Sequence, residues 1–292
     1  MTDKANKPLE DAPAIKTIVC ALDLTHNDDN LLKTAIRISL QNNAELNIVH
    51  VMHVVRVPGL MEQLGPKNRE VIDHIESLLA TYDQDKKLDY KIHIERGGHL
   101  SHTISQYVLK VNADLLIVGG LNHEHFVPDF IRTTGEELVN EIECNLLICK
   151  QPIHTAPTKL VISATMPETI FSACNLVRPS SANARVWILT SVKGSRAFIR
   201  SLKKMLGVFS ENQDDFQLKV LDVLRMFNVR KTAASFIFHS NRSIEKSFVQ
   251  ALALQPDIFV LERSKQLSRP NPELRKKLRE TKADLLILGE AL

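Results

Sequence analysis

The chain has 292 residues, which at about 150 residues per domain suits two α/β domains or one large one. Apolar residues make up 44% and charged residues 24%, which excludes wholesale disorder and fibrous structure. The 37 basic and 34 acidic residues are interspersed and leave a net charge of +3, so no nucleic-acid or membrane patch is implied. No apolar run approaches the roughly 20 residues of a membrane span, and the polar start MTDKANKPLEDAP has no hydrophobic signal core, so a cytoplasmic location is expected.

In chain order, TIVCALD (17–23) gathers β-branched residues into a strand ending on Asp23, and Thr25, His26, Asn27 and Asp28 supply a stop and a helix cap. Leu31, Leu32, Ala35, Ile36 and Ile38 recur near period 3.6 and predict a helix to about residue 40. ELNIVHVMHV (45–54) is a second strand. A loop with Pro58, Gly59, Gly65 and Pro66 follows, then an amphipathic helix over 67–81 with Val71, Ile72, Ile75, Leu78 and Leu79 on one side. YKIHIE (90–95) alternates as a strand and Gly97 and Gly98 end it. Ser101 is expected to cap a helix through 111, and NADLLIVGG (112–120) reads as a strand buried on both faces of a parallel sheet. A helix over 135–143 leads into NLLICK (145–150). The first half thus holds five strands alternating with four helices.

The same order recurs downstream. KLVISAT matches TIVCALD, ARVWILTSV matches AELNIVHV, PDIFVLE matches ADLLIVG, and ADLLILG matches NLLICK. Leu160 lies 142 positions after Ile18, Ala184 lies 140 after Ala44, and Asp257 lies 143 after Asp114, a constancy that points to tandem duplication. The join falls at QPIHTAPT (151–158), giving domains over 1–150 and 151–292. Each is expected to be doubly wound, with a five-stranded parallel sheet and helices on both faces. Ligands of such sheets sit beyond the strands' carboxyl ends, which places Asp23, His50, Gly97 and the segment after Gly119 together. The second-half equivalents are Thr165, Thr190, His239 and the segment after Glu262.

The segments TIVCALDLT, GGHLSHTISQYVLKVNADLLIVGG and TGEELVNEIECNLLICK resemble the universal stress protein family, and the second half resembles a degenerate copy. The resemblance implies two tandem domains pairing through their last strands as an intrachain pseudo-dimer, with room for a further homodimer, and a regulatory role in stress response with protein partners. Some members bind ATP, so it also implies a nucleotide pocket formed by Asp23, Val51, Gly119, Gly120, Asn122, Arg132, Thr134 and Gly135. This sequence departs from the family's glycine-rich loop. The second glycine is replaced at Asn122 or His123, and Gly135 is followed by Glu136 and Glu137 where the family has a hydroxyl. Two carboxylates there suit a helix dipole but oppose a triphosphate, although Arg132, Thr133 and Thr134 offer substitute contacts. In the second half SATMPE lacks the strand-one Asp, and 262–282 holds no glycine for a backbone cradle, so ATP is an expectation for the first domain only.

Other chemistry has less support. Cys20, Cys144, Cys149 and Cys174 form no CxxC pair and read as reduced, structural thiols. His50, His53, His93, His99, His102, His123 and His125 gather near strand ends, where zinc with Glu124 is weighed against separate local roles, and the local roles are favoured. There is no GxSxG elbow, and RKKLRE (275–280) reads as a solvated helix face. The reading is a non-enzymatic binding or regulatory module with its pocket in the first domain. A slow nucleotide hydrolase, a zinc protein, and a surface-acting protein with vestigial pockets stand as its competitors.

Overall fold

Runs of β-branched residues and leucine form the central strands of a parallel sheet in the first half, where burial on both faces leaves no alternation with polar residues. In a computed structural model of the protein, the described residues are 15–25, 28–53, 68–83, 85, 87–120, 134–150, 157–163, 167–177, 185–191, 234–239, 251–263, 276 and 280–289. The elements of the first half are β1 (Thr17–Leu22), α1 (Asp28–Asn42), β2 (Glu45–His53), α2 (Asn68–Tyr82), β3 (Tyr90–Gly97), α3 (Leu100–Lys110), β4 (Leu115–Gly119), α4 (Thr134–Glu141) and β5 (Asn145–Cys149). All are parallel, in the order β3-β2-β1-β4-β5. Ile18, Val19 and Cys20 on β1 and Leu115, Leu116 and Ile117 on β4 are wholly buried, so consecutive residues face apolar layers on opposite sides.

Register assigns the helices to those two sides. Cys20 lies beside Ile48 and Ile117, and Leu31 of α1 is the neighbour that a side chain at Gly119 would meet, so α1 covers the face shared by Cys20 and Gly119. The opposite face carries Asn47 and His93, which meet Tyr107 of α3. Buried Asn47 is satisfied there: its Nδ2 donates to Glu45 Oε1 at 2.8 Å and its Oδ1 accepts from the Tyr107 hydroxyl at 3.2 Å. α4 packs beside α3 on that face, and Ser101 and Ser105 of α3 reach Glu141 at its end at 3.4 and 3.2 Å.

The expected cap of α3 is corrected. His99 occupies the N-cap with extended φ −119° and ψ 113° and makes no side-chain cap bond, whereas Ser101 lies inside the first turn. Ser101 is buried against α4, so tertiary packing claimed a hydroxyl that local sequence assigns to capping.

In the second half the elements are β6 (Lys159–Ser163), α5 (Pro167–Val177), β7 (Arg185–Ser191), β8 (Ala234–His239), β9 (Ile258–Glu262) and β10 (Asp284–Leu288). β6 pairs in parallel with β7 and β9, β7 with β8, and β9 with β10. β7 and β8 extend the sheet to one side of β6, while β9 and β10 extend it to the other. The chain divides into two compact units, one built on β1–β5 and the other on β6–β10. Within each, one aspartate ties down the start of the central strand. Asp114 Oδ2 accepts from the N–H of Lys16 at 2.7 Å and of Thr17 at 2.9 Å, and Asp257 Oδ2 accepts from the N–H of Thr158 at 2.8 Å and of Lys159 at 3.0 Å.

Candidate functional site

The order β3-β2-β1-β4-β5 means that the chain leaves β1 on one side and returns on the other at β4. The carboxyl ends of β1 and β4 therefore border a crevice at the point where winding reverses, the place where open α/β sheets receive ligands. Asp23 directly follows β1 and Gly119 ends β4. Asp23 is exposed, and its Oδ1 accepts from the Thr25 backbone N–H at 3.1 Å and the Thr25 hydroxyl at 2.7 Å, so the carboxylate is held over the turn. Leu24 bends that turn with φ of 62°, a left-handed conformation uncommon for a side chain of its size.

The turn is held from below by Asp28, the first residue of α1, which is only 2% exposed. Asp28 Oδ2 accepts from the Leu24 N–H at 2.7 Å and Oδ1 from the Asp23 N–H at 3.4 Å. Burial, and then the neighbouring Asp23 charge, push the Asp28 carboxyl up to about 7, although the two backbone bonds favour the anion. On the other side of the turn, His50 Nδ1 lies 2.9 Å from the Leu22 carbonyl, which ties the end of β2 to the end of β1. Beneath, burial and then the charge of Asp28 push the Cys20 thiol well above its ordinary value, so Cys20 is a packing residue.

The glycines divide by role. A Cβ at Gly119 would make only an ordinary contact, 4.0 Å from Leu31 Cδ2, and Gly119 is exposed, so among the described residues nothing crowds the end of β4 next to the β1 turn. At Gly120 a Cβ would lie 2.6 Å from Lys150 Cγ and 3.1 Å from the Cys149 carbonyl, to which the Gly120 N–H donates at 2.6 Å. Gly135 is buried, and a Cβ there would lie 3.1 Å from Ile148 Cδ1, so glycine lets α4 approach β5. Thr134 opens α4, with Glu136 and Glu137 in its first turn, where carboxylates complement the helix dipole. Val51 is 7% exposed, on the α3 side of β2 in register with Glu95, so its side chain is core.

Of the sequence-predicted pocket residues, the fold thus brings Asp23, Gly119 and Gly120 to the crest of the central strands, assigns packing to the side-chain positions of Gly135 and Val51, and sets Thr134 at the start of α4. Asn122 and Arg132 lie outside the described residues, as do His26, Asn27, His123, Glu124, His125, Thr133 and Thr165. Gly97 ends β3, where a Cβ would collide with Thr103 of α3, so its role is packing. The His93 ring lies against that of Tyr107 in a tilted contact with ring centroids 5.0 Å apart, and His99 and His102 are exposed at the start of α3. Among the described residues no group of three or more His, Cys, Asp or Glu is arranged to hold a metal ion. In the second half β7 ends at Ser191, just beyond Thr190, and β8 ends at His239.

Sequence reasoning treated Asp28 as a cap and missed it as a buried acid beneath the crest. No local signal distinguishes the two, because the difference arises from the β1 and α1 surfaces that close over it.

A doubly wound α/β domain with an open crest at its strand-order reversal is the class that this geometry defines. Residues 14–150 match the sequence model of the universal stress protein family. Over 138 residues, 46% of this chain, the sequence is 29% identical to a universal stress protein A homolog of Haemophilus influenzae and 22% identical to universal stress protein A of Photorhabdus laumondii, covering 94% of each relative. The fold is similar to those of a universal stress protein from Archaeoglobus fulgidus, with TM-score 0.61 and 8% identity, and a putative universal stress protein from Pseudomonas aeruginosa, with TM-score 0.60 and 11% identity. Both alignments cover 94% of this chain, with 97% and 93% of the respective structures. Among the described residues no helix is long and apolar enough to cross a membrane.

Proposed function

We propose that the chain is a cytoplasmic tandem universal stress protein, a non-enzymatic binding and regulatory module in stress response, whose first domain takes a small ligand of the nucleotide class at the β1–β4 crest. The observation that carries the ligand reading is the pairing of Asp23 with Gly119. An exposed carboxylate held over the turn after β1 lies next to the glycine that ends the neighbouring β4, where among the described residues a side chain would meet only Leu31. The carboxylate suits the amino and hydroxyl donors of a nucleoside, and the glycine admits a planar ring against the backbone. Glu136 and Glu137 oppose a dense phosphate charge near α4, which favours a nucleoside or monophosphate over a triphosphate.

Two homologous domains are favoured by the recurrence of one hydrogen-bond pattern. Asp114 and Asp257 make the same strand-start ties. The Asn145 N–H donates to the Asp114 carbonyl at 3.2 Å, as the Asp284 N–H donates to the Asp257 carbonyl at 2.9 Å. In the second domain the strand-one position equivalent to Asp23 carries no carboxylate in SATMPE, so that copy serves as scaffold or interaction surface. Pairing of the domains through their last strands as a pseudo-dimer belongs to the same reading.

Titration calorimetry of the purified full chain with AMP and ATP tests the ligand. Binding of one adenine nucleotide per chain is expected, weakened about tenfold or more in Asp23→Ala through loss of a charge-assisted hydrogen bond. No heat and no nucleotide in native mass spectra would refute the pocket, and steady phosphate release that depends on Asp23 would refute the non-enzymatic reading.

A further inference from the structure

We propose that the outer edge of β3 is a self-association surface, on which a second copy of this chain adds its own β3 antiparallel and centred on His93. β3 lies at the end of the strand order and pairs with β2, and among the described residues no strand pairs with its other side. The Leu46 N–H donates to the Asp89 carbonyl at 2.9 Å, which fixes the alternation along β3. The backbone groups of Lys91, His93 and Glu95 point to β2, and those of Ile92 and Ile94 point away from it. A twofold axis through His93 sets Ile92 against Ile94 of the second copy as a hydrogen-bonded pair, and Ile94 against its Ile92. Lys91 then faces Glu95 of the second copy as a non-hydrogen-bonded pair, the kind in which side chains approach most closely. The twofold repeats that contact, so each interface holds two opposite-charge pairs and residue i meets j as j meets i.

The charges favour this register over its neighbours. A shift of two residues one way sets Asp89 against Glu95, and the other way leaves Lys91 against Gly97. A shift of one residue turns the outward backbone groups out of hydrogen-bonding phase. Lys91 and Glu95 both lie on the α3 side of the strand, where Lys91 bonds Glu45 at 2.6 Å and Glu95 lies 3.8 Å from Lys110. The Lys91 side chain is 56% exposed and that of Glu95 is 33% exposed, so each keeps surface for a second partner. Proteins often protect a free edge with charge of one sign, which repels a second copy. Here the two signs are placed so that a second copy answers each of them.

Sedimentation equilibrium of the full chain over a wide concentration range tests this. A reversible doubling of mass is expected. Lys91→Glu and Glu95→Lys each place like charges opposite one another twice, and each should weaken association by about tenfold or more. The double variant Lys91→Glu/Glu95→Lys restores opposite charges and should restore association. Thermal midpoints close to that of the parent will show that the variants fold. A chain that stays monomeric at every concentration, single variants that associate like the parent, or a double variant no better than the singles would each overturn the proposal.

Discussion

Asp28 shows how one side chain can carry a property that its sequence context conceals. Its carboxyl is displaced from its ordinary 3.8 to about 7 because burial and the Asp23 charge oppose ionisation. The folded state therefore holds a proton that the unfolded state releases between those values, and the sign follows from linkage. The contribution of this group to stability is fully present below about 3.8, falls as pH rises towards 7, and stays low above it. Asp28→Asn keeps an acceptor for the Leu24 N–H and presents an uncharged donor towards Asp23. Thermal denaturation at pH 5 and pH 8 should show a smaller loss of stability at the higher pH in this variant than in the parent, and a higher midpoint than the parent at pH 8. Equal pH dependence in the two proteins would mean that Asp28 is ionised throughout.

At the scale of elements, the two glycines at the end of β3 separate packing from chain reversal. A Cβ at Gly97 would strike the Thr103 hydroxyl, which is held in place by donating to the His99 carbonyl at 2.9 Å. A Cβ at Gly98 meets nothing within 4 Å. Gly97→Ala should thus cost about 1–3 kcal/mol through overpacking, whereas Gly98→Ala should be near neutral. Urea denaturation of the two variants checks this, and Thr103→Ala in the Gly97→Ala background should recover part of the loss. Sequence reading found both glycines as the end of a strand, because both punctuate the pattern, but did not distinguish the one against which α3 packs. It likewise gave Ser101 to a cap, since the competing attraction comes from Glu141, distant in sequence.

Across the whole molecule, the repeated aspartate tie makes the two halves comparable. Asp114→Ala and Asp257→Ala each strand backbone N–H groups at the start of a central strand, and each should destabilise its unit by about 1–3 kcal/mol. Denaturation followed by circular dichroism on the full chain checks both, and a costly Asp114→Ala beside a silent Asp257→Ala would remove the equivalence. The sequence by itself determined the alternation of strands and helices in the first half, the constant offsets between the halves and where the central strands end. Those features rest on apolar runs, helical periodicity and breakers, all encoded by near neighbours in the chain. Only the tertiary structure decided that Asp28 is a buried acid, that Gly119 is open while Gly135 and Gly97 are packed, and that Ser101 bonds to Glu141. Burial, close approach and proton affinity arise from groups far apart in sequence, and they exist only once the sheet and its helices have closed around them.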